Sequence, residues 1–397
     1  MDKSHLLGID VGTATVKVFS GAMTNEQDIS IDSIGIMQTF GFDKGAISDY
    51  KALSSSIKQA VDCAISDNQV SAQGVYIGVG GMGIRSFNCI GSIAPHSPKT
   101  ITNEDIDRVC RSSVLTGIPE ELYVLHILPL CFWVDKKRQT SAPIGMQGSC
   151  LEVETLVVAA PEMAIKELIA AVRNTGIKVA GVVANSIVGA QALAPDTKDK
   201  KVIIIDIGAG TTDVSLYRGG VIYNSASLPL GGNYITRDIM KALEISEQHA
   251  EGIKRYYSRL DKAFRGQAVI LDCNDYGTTD KQVSYDFLFD VIESRVEEIV
   301  YLIHEHIKGS MLDSDINEIV FTGGCSAMPS FVAAIEKHFG LQVKTKVPDK
   351  LLAEYSYPSN TSCYGVILHA ARHAAAVSQE PTTQSWRSLF EKIRKFF

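Results

Sequence analysis

Apolar and polar positions along this chain fall into three rhythms. Two short continuous apolar runs each close on Asp and Gly: LLGIDVG at 6–12 and VIIIDIG at 202–208. Each is followed at once by an alternating run, TVKVF at 15–19 and TDVSLY at 212–217. A buried strand, a tight turn and a second strand are predicted at both places. Further strand-like runs fall near 84–93, 122–134 and 150–159, with a helical period over 103–116. Pro161 stands where the first turn of another helix would begin, a position that tolerates the missing N–H. The stretch SYDFLFDVIESRVEEIVYLIHEHIKG (284–309) predicts a long amphipathic helix with its apolar face in the core.

The two hairpin segments read alike. Aligning Asp10 with Asp206 sets the copies 196 residues apart in a chain of 397, which implies two similar lobes. Their turns suit phosphate: glycines let backbone N–H groups approach an anion, and small hydroxyls add donors. The candidates are Gly12, Thr13 and Thr15 in the first turn, and Gly208, Gly210, Thr211 and Thr212 in the second. Asp10 and Asp206, each at a strand end, could hold a hydrated Mg²⁺ through water, and Lys17 on the outgoing strand would add positive charge. Either turn alone would be an ordinary hairpin. Their duplication is what favours phosphate. A third segment, NEIVFTGGCSAMPSFVAAIEKHFG (317–340), predicts a buried strand, a Gly323–Gly324 turn and a helix. LPLGGNYITRDI (228–239) offers another pair, Gly231–Gly232, leading into a helix, with Asn233 next to it as a further candidate. The run GVGGMG (78–83) satisfies the dinucleotide fingerprint, but the strand-like RSFNCIGSIAP follows where a helix should open, so that reading is set aside. There is no P-loop motif.

Composition narrows the field. Apolar content of 45 % and charge of 21 % belong to a folded chain, and 397 residues call for more than one domain. A net charge of −7 argues against nucleic acid as a partner. No leader pattern or membrane-spanning run is expected. The eight cysteines show no C-x-x-C spacing and read as reduced thiols. His369 and His373 are four residues apart, but Ala370 stands where a zincin needs Glu, so packing is expected there.

The last thirteen residues, SWRSLFEKIRKFF, depart from the acidic average. On a helical wheel Trp386, Leu389, Phe390, Ile393, Phe396 and Phe397 share an arc of about 120°. Arg387, Lys392, Arg394 and Lys395 lie on the other side with Ser388 and Glu391. The stripe could dock on the body, on a partner or on a membrane. The polar, Pro-containing VSQEPTTQ (377–384) reads as a flexible linker and weakens the first option. A helix of about 20 Å is too short to span a bilayer but suits its interface, with about 1 kcal/mol from each basic side chain near anionic lipid. One tail should bind reversibly and a polymer carrying many should bind tightly.

Taken together, I-D-V-G-T-x-x-x-K, D-I-G-A-G-T-T-D and V-F-T-G-G resemble the phosphate and adenosine motifs of the actin-like ATPase superfamily. Within it the chain resembles the FtsA family of bacterial division proteins, on the segment 121–179 inserted after the first lobe begins and on the amphipathic tail. The resemblance implies an α/β, actin-like fold: two ribonuclease-H-like lobes, an inserted subdomain 1C and a C-terminal amphipathic helix. Lobe 1 is then 1–81 with 161–190 and 358–377, subdomain 1C is 82–160, and lobe 2 is 191–239 with 284–357. Subdomain 2B is 240–283, short for the family; 378–384 is a linker and 385–397 a membrane-targeting helix. The resemblance also implies ATP with Mg²⁺ in the interlobe cleft. Adenosine would lie near Gly231, Gly232, Gly323, Gly324 and Ser326, and Glu251 and Lys254 of AEGIK would approach the ribose and adenine, unless they are only a solvated helical pair. Implied partners are the FtsZ C-terminal peptide on 2B, copies of the chain in filaments, later division proteins through 1C, and anionic lipid. The location would be the cytoplasmic face of the inner membrane at the septum. At most a slow ATPase is expected, because no residue stands out as a general base. The alternatives are a metabolite kinase of the superfamily and a PilM-like adaptor of pilus assembly; neither accounts for the tail.

Overall fold

The computed structural model describes residues 5–24, 29–65, 74–94, 98–193, 200–257, 266, 270–272, 282–309 and 316–379. Two five-stranded sheets carry it. The first comprises β1 (His5–Val11), β2 (Thr15–Met23), β3 (Ile29–Gln38), β6 (Val75–Val79) and β13 (Val179–Ala184), ordered β13-β6-β1-β2-β3. The second comprises β14 (Lys201–Ile207), β15 (Thr212–Arg218), β16 (Val221–Leu228), β19 (Glu318–Thr322) and β20 (Val343–Thr345), ordered β16-β15-β14-β19-β20. Read from the hairpin outward the two orders are the same.

Up to their terminal aspartates, Leu6–Ile9 and Val202–Ile205 carry no polar side chain, because both faces of each strand are covered. Along β14, Ile203, Ile205 and Ile207 join a core with α7 (Tyr285–Lys308), while Val202 and Ile204 turn to the opposite core. Along β1, Leu7, Ile9 and Val11 meet α1 (Tyr50–Ala64), and Leu6 turns toward α9 (Thr361–Gln379). Gly8 permits that close approach: a Cβ there would lie 2.8 Å from the backbone N of Ile367 on α9. Every side chain of α4 (Asn185–Leu193) except that of Gln191 is buried, consistent with a helix enclosed on all sides. The remaining helices are α3 (Glu162–Arg173), α5 (Asn233–Leu243), α6 (Glu247–Tyr257) and α8 (Pro329–Phe339).

Between β6 and α3 the chain builds a separate four-stranded antiparallel sheet. Its strands are β7 (Arg85–Ile93), β9 (Leu122–Val134), β10 (Arg138–Thr140) and β12 (Leu151–Pro161), ordered β10-β9-β12-β7. On it lies α2 (Asn103–Gly117), whose N-terminus is closed by a reciprocal cap between Thr102 and Asp105. Three two-stranded pairs complete the described chain: β4 (Phe42–Asp43) with β5 (Ala46–Ile47), β8 (Lys99–Thr100) with β11 (Gln147–Gly148), and β17 (Ile270–Asp272) with β18 (Gln282–Ser284).

This inserted sheet meets the first lobe through imidazoles. His126 on β9 accepts a hydrogen bond from Ala184 N at 2.9 Å, and its ring stands 5.7 Å from that of His369. The rings of His369 and His373 lie 4.4 Å apart, tilted by 43°, so the pair packs. Burial pushes the pKa of His126 down to about 3 and that of His369 to about 2, keeping both neutral.

Two boundaries differ from the sequence reading. Pro161 ends β12, still paired with Leu122, and α3 opens at Glu162, so the proline sits just before the helix. Helix α9 continues to Gln379, because its alanine-rich end meets no breaker before Pro381. The amphipathic tail at 385–397, with its ten candidate membrane residues, lies outside the described residues, as does much of 240–283. Among the described residues no helix is long and apolar enough to cross a membrane.

Candidate functional site

Each hairpin turn is closed by the same hydrogen bond at the same offset. Gly12 N donates to Thr15 O at 3.2 Å, and Gly208 N donates to Thr211 O at 2.9 Å. The two turns face each other across the interlobe cleft. A Cβ on Gly210 would clash with Thr13 Oγ1 and lie 2.8 Å from Thr13 Cβ, so glycine is what lets the turns meet. Thr212 is turned inward and donates to Leu230 O at 2.8 Å, tying the second turn to the strand end before Gly231.

The other glycine turns close on the same place. Gly232 N donates to Gly208 O and Asn233 N to Ala209 O, at 3.0 and 2.7 Å, seating the start of α5 on the second turn. Gly323, at φ +87, comes so near Asp206 that a Cβ would clash with its carboxylate. Gly324 opens a short 3₁₀ turn, in which the Ser326 hydroxyl is spent on Gly323 O at 2.7 Å. Lys254 Nζ lies 2.6 Å from Glu251 Oε2, 2.9 Å from Thr236 Oγ1 and 3.2 Å from Gly232 O. The pair is therefore anchored on the Gly231–Gly232 turn, not merely solvated. Lys17 directs its amine to the carbonyl of Ser359. The two Asp–Gly turns, the Gly231–Gly232 turn and Gly323 beside Asp206 thus lie together.

Sequence reasoning missed several groups there. Asp213 faces Asp206 across the β14–β15 pair, bonds to Ser227, and is buried. Asn185 donates to Asp10 at 2.8 Å, and Ser362 donates to Asp206 at 2.8 Å. The glycines of GVGGMG also belong here: Gly81 N donates to Ser227 Oγ at 2.6 Å, and a Cβ on Gly80 would lie 2.8 Å from Asp213 Oδ2. As expected from its sequence, that run leads into strand β7 and not into a helix. A lone polar residue ending an apolar run, VAGVVAN, was the available signal for Asn185.

Two buried carboxylates, Asp10 and Asp213, now share one neighbourhood with the half-buried Asp206. Desolvation, offset by Lys17 and Asn185, raises the pKa of Asp10. Desolvation, aided by the charge of Asp10 and opposed by Ser362 and Lys17, lifts Asp206 to about 6. Desolvation and the charge of Asp206 carry Asp213 well above the ordinary carboxylate range. Asn185 Oδ1, buried beside them, has no hydrogen-bond partner among the described residues. Acceptors in excess, short of positive charge, are the donor set of a hydrated cation. Among the described residues no three His, Cys, Asp or Glu side chains stand close enough to bind a metal directly.

Two lobes of equal strand order, joined at facing Asp–Gly turns and interrupted by a small α/β insertion, define an actin-like protein. The fold matches the PilM–PilN type IV pilus biogenesis complex at a TM-score of 0.66 and 17 % identity, over 92 % of this chain and 98 % of that one. It matches MreB 5 of Spiroplasma citri bound to AMPPNP at 0.54 and 14 %, over 96 % and 99 %. The model of cell division protein FtsA matches residues 203–365, and that of the SHS2 domain inserted in FtsA matches 81–159. Cell division protein FtsA of Buchnera aphidicola subsp. Schizaphis graminum is 30 % identical over 87 % of this chain and 85 % of its own. That of Escherichia coli K12 is 25 % identical over 100 % of this chain and 99 % of its own. The chain belongs to the FtsA family.

Proposed function

We propose that the chain is an ATP-binding division protein that polymerises on the cytoplasmic membrane, ties FtsZ to it and brings later division proteins there. The observation that carries this reading is the meeting of the two Asp–Gly turns. Their backbone N–H groups, with Thr13, Thr15 and Thr211, would cradle the phosphates. Asp10, Asp206 and Asp213 would hold Mg²⁺ through water, and Lys17 would complete the charge balance. Magnesium would neutralise phosphate charge there. Gly231, Gly232, Asn233, Glu251, Lys254, Gly323, Gly324 and Ser326 would border the adenosine. Glu251, held charged by Lys254 and by Thr236 and Arg255 despite burial, would accept from a ribose hydroxyl.

Nucleotide state would set lobe closure and so the contacts between copies. The FtsZ C-terminal peptide would bind at subdomain 2B. A groove of about 430 Å³ between α5 and α7, lined by both acidic (Asp238, Glu298) and basic (Lys241, Arg295) side chains, borders that region. Residues 82–160 would serve the later partners. The tail would anchor the polymer to anionic lipid on the cytoplasmic face of the inner membrane at the septum.

Nucleotide titration and electron microscopy on lipid monolayers test this reading together. Membrane-bound filaments in the presence of ATP are expected. Asp206→Ala should lose ATP while keeping lipid affinity, and Phe390→Glu should do the reverse in liposome flotation; equal flotation of parent and Phe390→Glu would refute the anchor. The likeness to the pilus complex favours a second reading, a PilM-like adaptor. Capture of an FtsZ terminal peptide separates the two.

A further inference from the structure

The β4–β5 hairpin carries a cluster that the reading above leaves unused. Asp43 and Lys44 leave the first lobe here and reach α5 of the second. Lys44 Nζ lies 2.8 Å from Tyr234 Oη and 4.0 Å from the centre of its ring. Asp43 Oδ2 lies 3.0 Å from Arg237 Nη2. Arg237 and Arg295 face the same tyrosine ring at 5.8 and 5.7 Å. Those two guanidiniums have carboxylates of their own: Asp43 for Arg237, Asp238 and Glu298 for Arg295. No carboxylate of a described residue is in ion-pair range of the Lys44 amine, which rests on the Tyr234 hydroxyl.

The backbone of Lys44 is placed with care. It holds a left-handed φ of +52, uncommon for a residue with a side chain. Its N–H donates to Thr13 Oγ1 at 3.1 Å. Its carbonyl oxygen lies 2.6 Å from where a Cβ on Gly81 would sit, and the same point is 2.8 Å from Thr211 Cγ2. Lys44 is thus anchored between the two turns that meet across the cleft, on a flexible four-carbon stem.

We propose that Lys44 is a switchable phosphate contact. With no anion between the turns it stays on Tyr234; a nucleoside triphosphate draws it onto the terminal phosphate and frees α5. The proposal rests on the nucleotide reading and names how one of its states is sensed. Lysine is the ionised donor in either state, but phosphate adds an anionic acceptor that the phenol lacks, and that attraction favours the phosphate. The companion Asp43–Arg237 pair is exposed on both sides and opposes the exchange only weakly.

The experiment titrates ATP and ADP, each with Mg²⁺, into the full chain, Lys44→Met, Lys44→Arg and Tyr234→Phe. Lys44→Met should lose about 10-fold in ATP affinity and less than about 3-fold for ADP, with partial rescue in Lys44→Arg. Tyr234→Phe should bind ATP as tightly as the parent or slightly tighter, because it loses only the competing partner. Equal loss of both nucleotides in Lys44→Met, or parallel loss in Tyr234→Phe, would make the cluster a rigid brace and overturn the proposal while the nucleotide reading stands. A parent chain that binds neither nucleotide overturns both. Melting temperatures of the variants distinguish misfolding from lost contact.

Discussion

The two hairpins share sequence pattern, register and turn hydrogen bond, yet they differ at the position that faces each aspartate across the ladder. Asp10 pairs across its ladder with Lys17, whereas Asp206 pairs with Asp213. The first hairpin therefore carries its own counter-charge and the second faces a like charge. Duplication supplied the geometry, and this divergence made the interlobe space short of positive charge. A cation held there would be stabilised chiefly by the second hairpin.

The largest expected effect breaks that asymmetry directly. Asp206→Ala should weaken Mg²⁺-dependent ATP binding by about 100-fold or more, since a buried charge-assisted network is lost; calorimetry would measure it. Asp213→Asn should also weaken the Mg²⁺ dependence, yet raise the melting temperature of the nucleotide-free protein by about 2–4 °C by removing the cost of burying a carboxyl group beside Asp206. Asp10→Asn should gain less, because Lys17 loses its partner. An equal gain at both positions would show that the hairpins are electrostatically alike.

Glycine positions sharpen the comparison next. Gly210→Ala drives a methyl group into Thr13 and should cost about 10-fold in ATP affinity. At Gly12 the nearest atom to an added Cβ is Thr15 O at 3.0 Å, within the same turn. Gly12→Ala should therefore cost less, unless both turns bear equally on phosphate.

A smaller effect appears in pH. Asp206 has its folded pKa raised from 3.8 to about 6, so its contribution to stability is full at low pH and lost as pH rises through about 6. His126 and His369 have folded values of about 3 and about 2, below the usual 6.5. Their contribution is full above 6.5 and is lost as pH falls toward 3. Melting scans at pH 5 and pH 7.5 should show the nucleotide-free Asp206→Asn protein losing less stability on going to the higher pH than the parent does.

Local pattern made both hairpins legible, because an apolar run ending in Asp–x–Gly states its strand and turn within a dozen residues. The inserted sheet was legible for the same reason: the strand at 122–134 and the helix from 103 follow from periodicity alone. Groups that act across the cleft were not. Asp213 stood inside a quoted motif, but its meaning depends on Asp206 opposite and on Ser227 one strand away. Asn185, Ser362 and Lys44 reach the site from elements distant in sequence, so no spacing announces them. GVGGMG was correctly refused as a dinucleotide fingerprint, yet its glycines pack on Asp213 and Thr211, a role only tertiary approach reveals.

The claim beneath all of this is that the two turns confront one another across the space a triphosphate would take. With Cys63, the exposed thiol among the described cysteines, replaced by Ser, the Thr13→Cys/Gly210→Cys variant sets two thiols against each other across the cleft; a Cβ on Gly210 would lie 2.8 Å from Thr13 Cβ, so the turns must part to the roughly 3.5–4.5 Å of a disulfide for the bridge to form. Mild oxidation should cross-link that variant within one chain, and Mg²⁺ with ATP should suppress the bridge. Failure to cross-link, or a yield indifferent to nucleotide, would contradict the account.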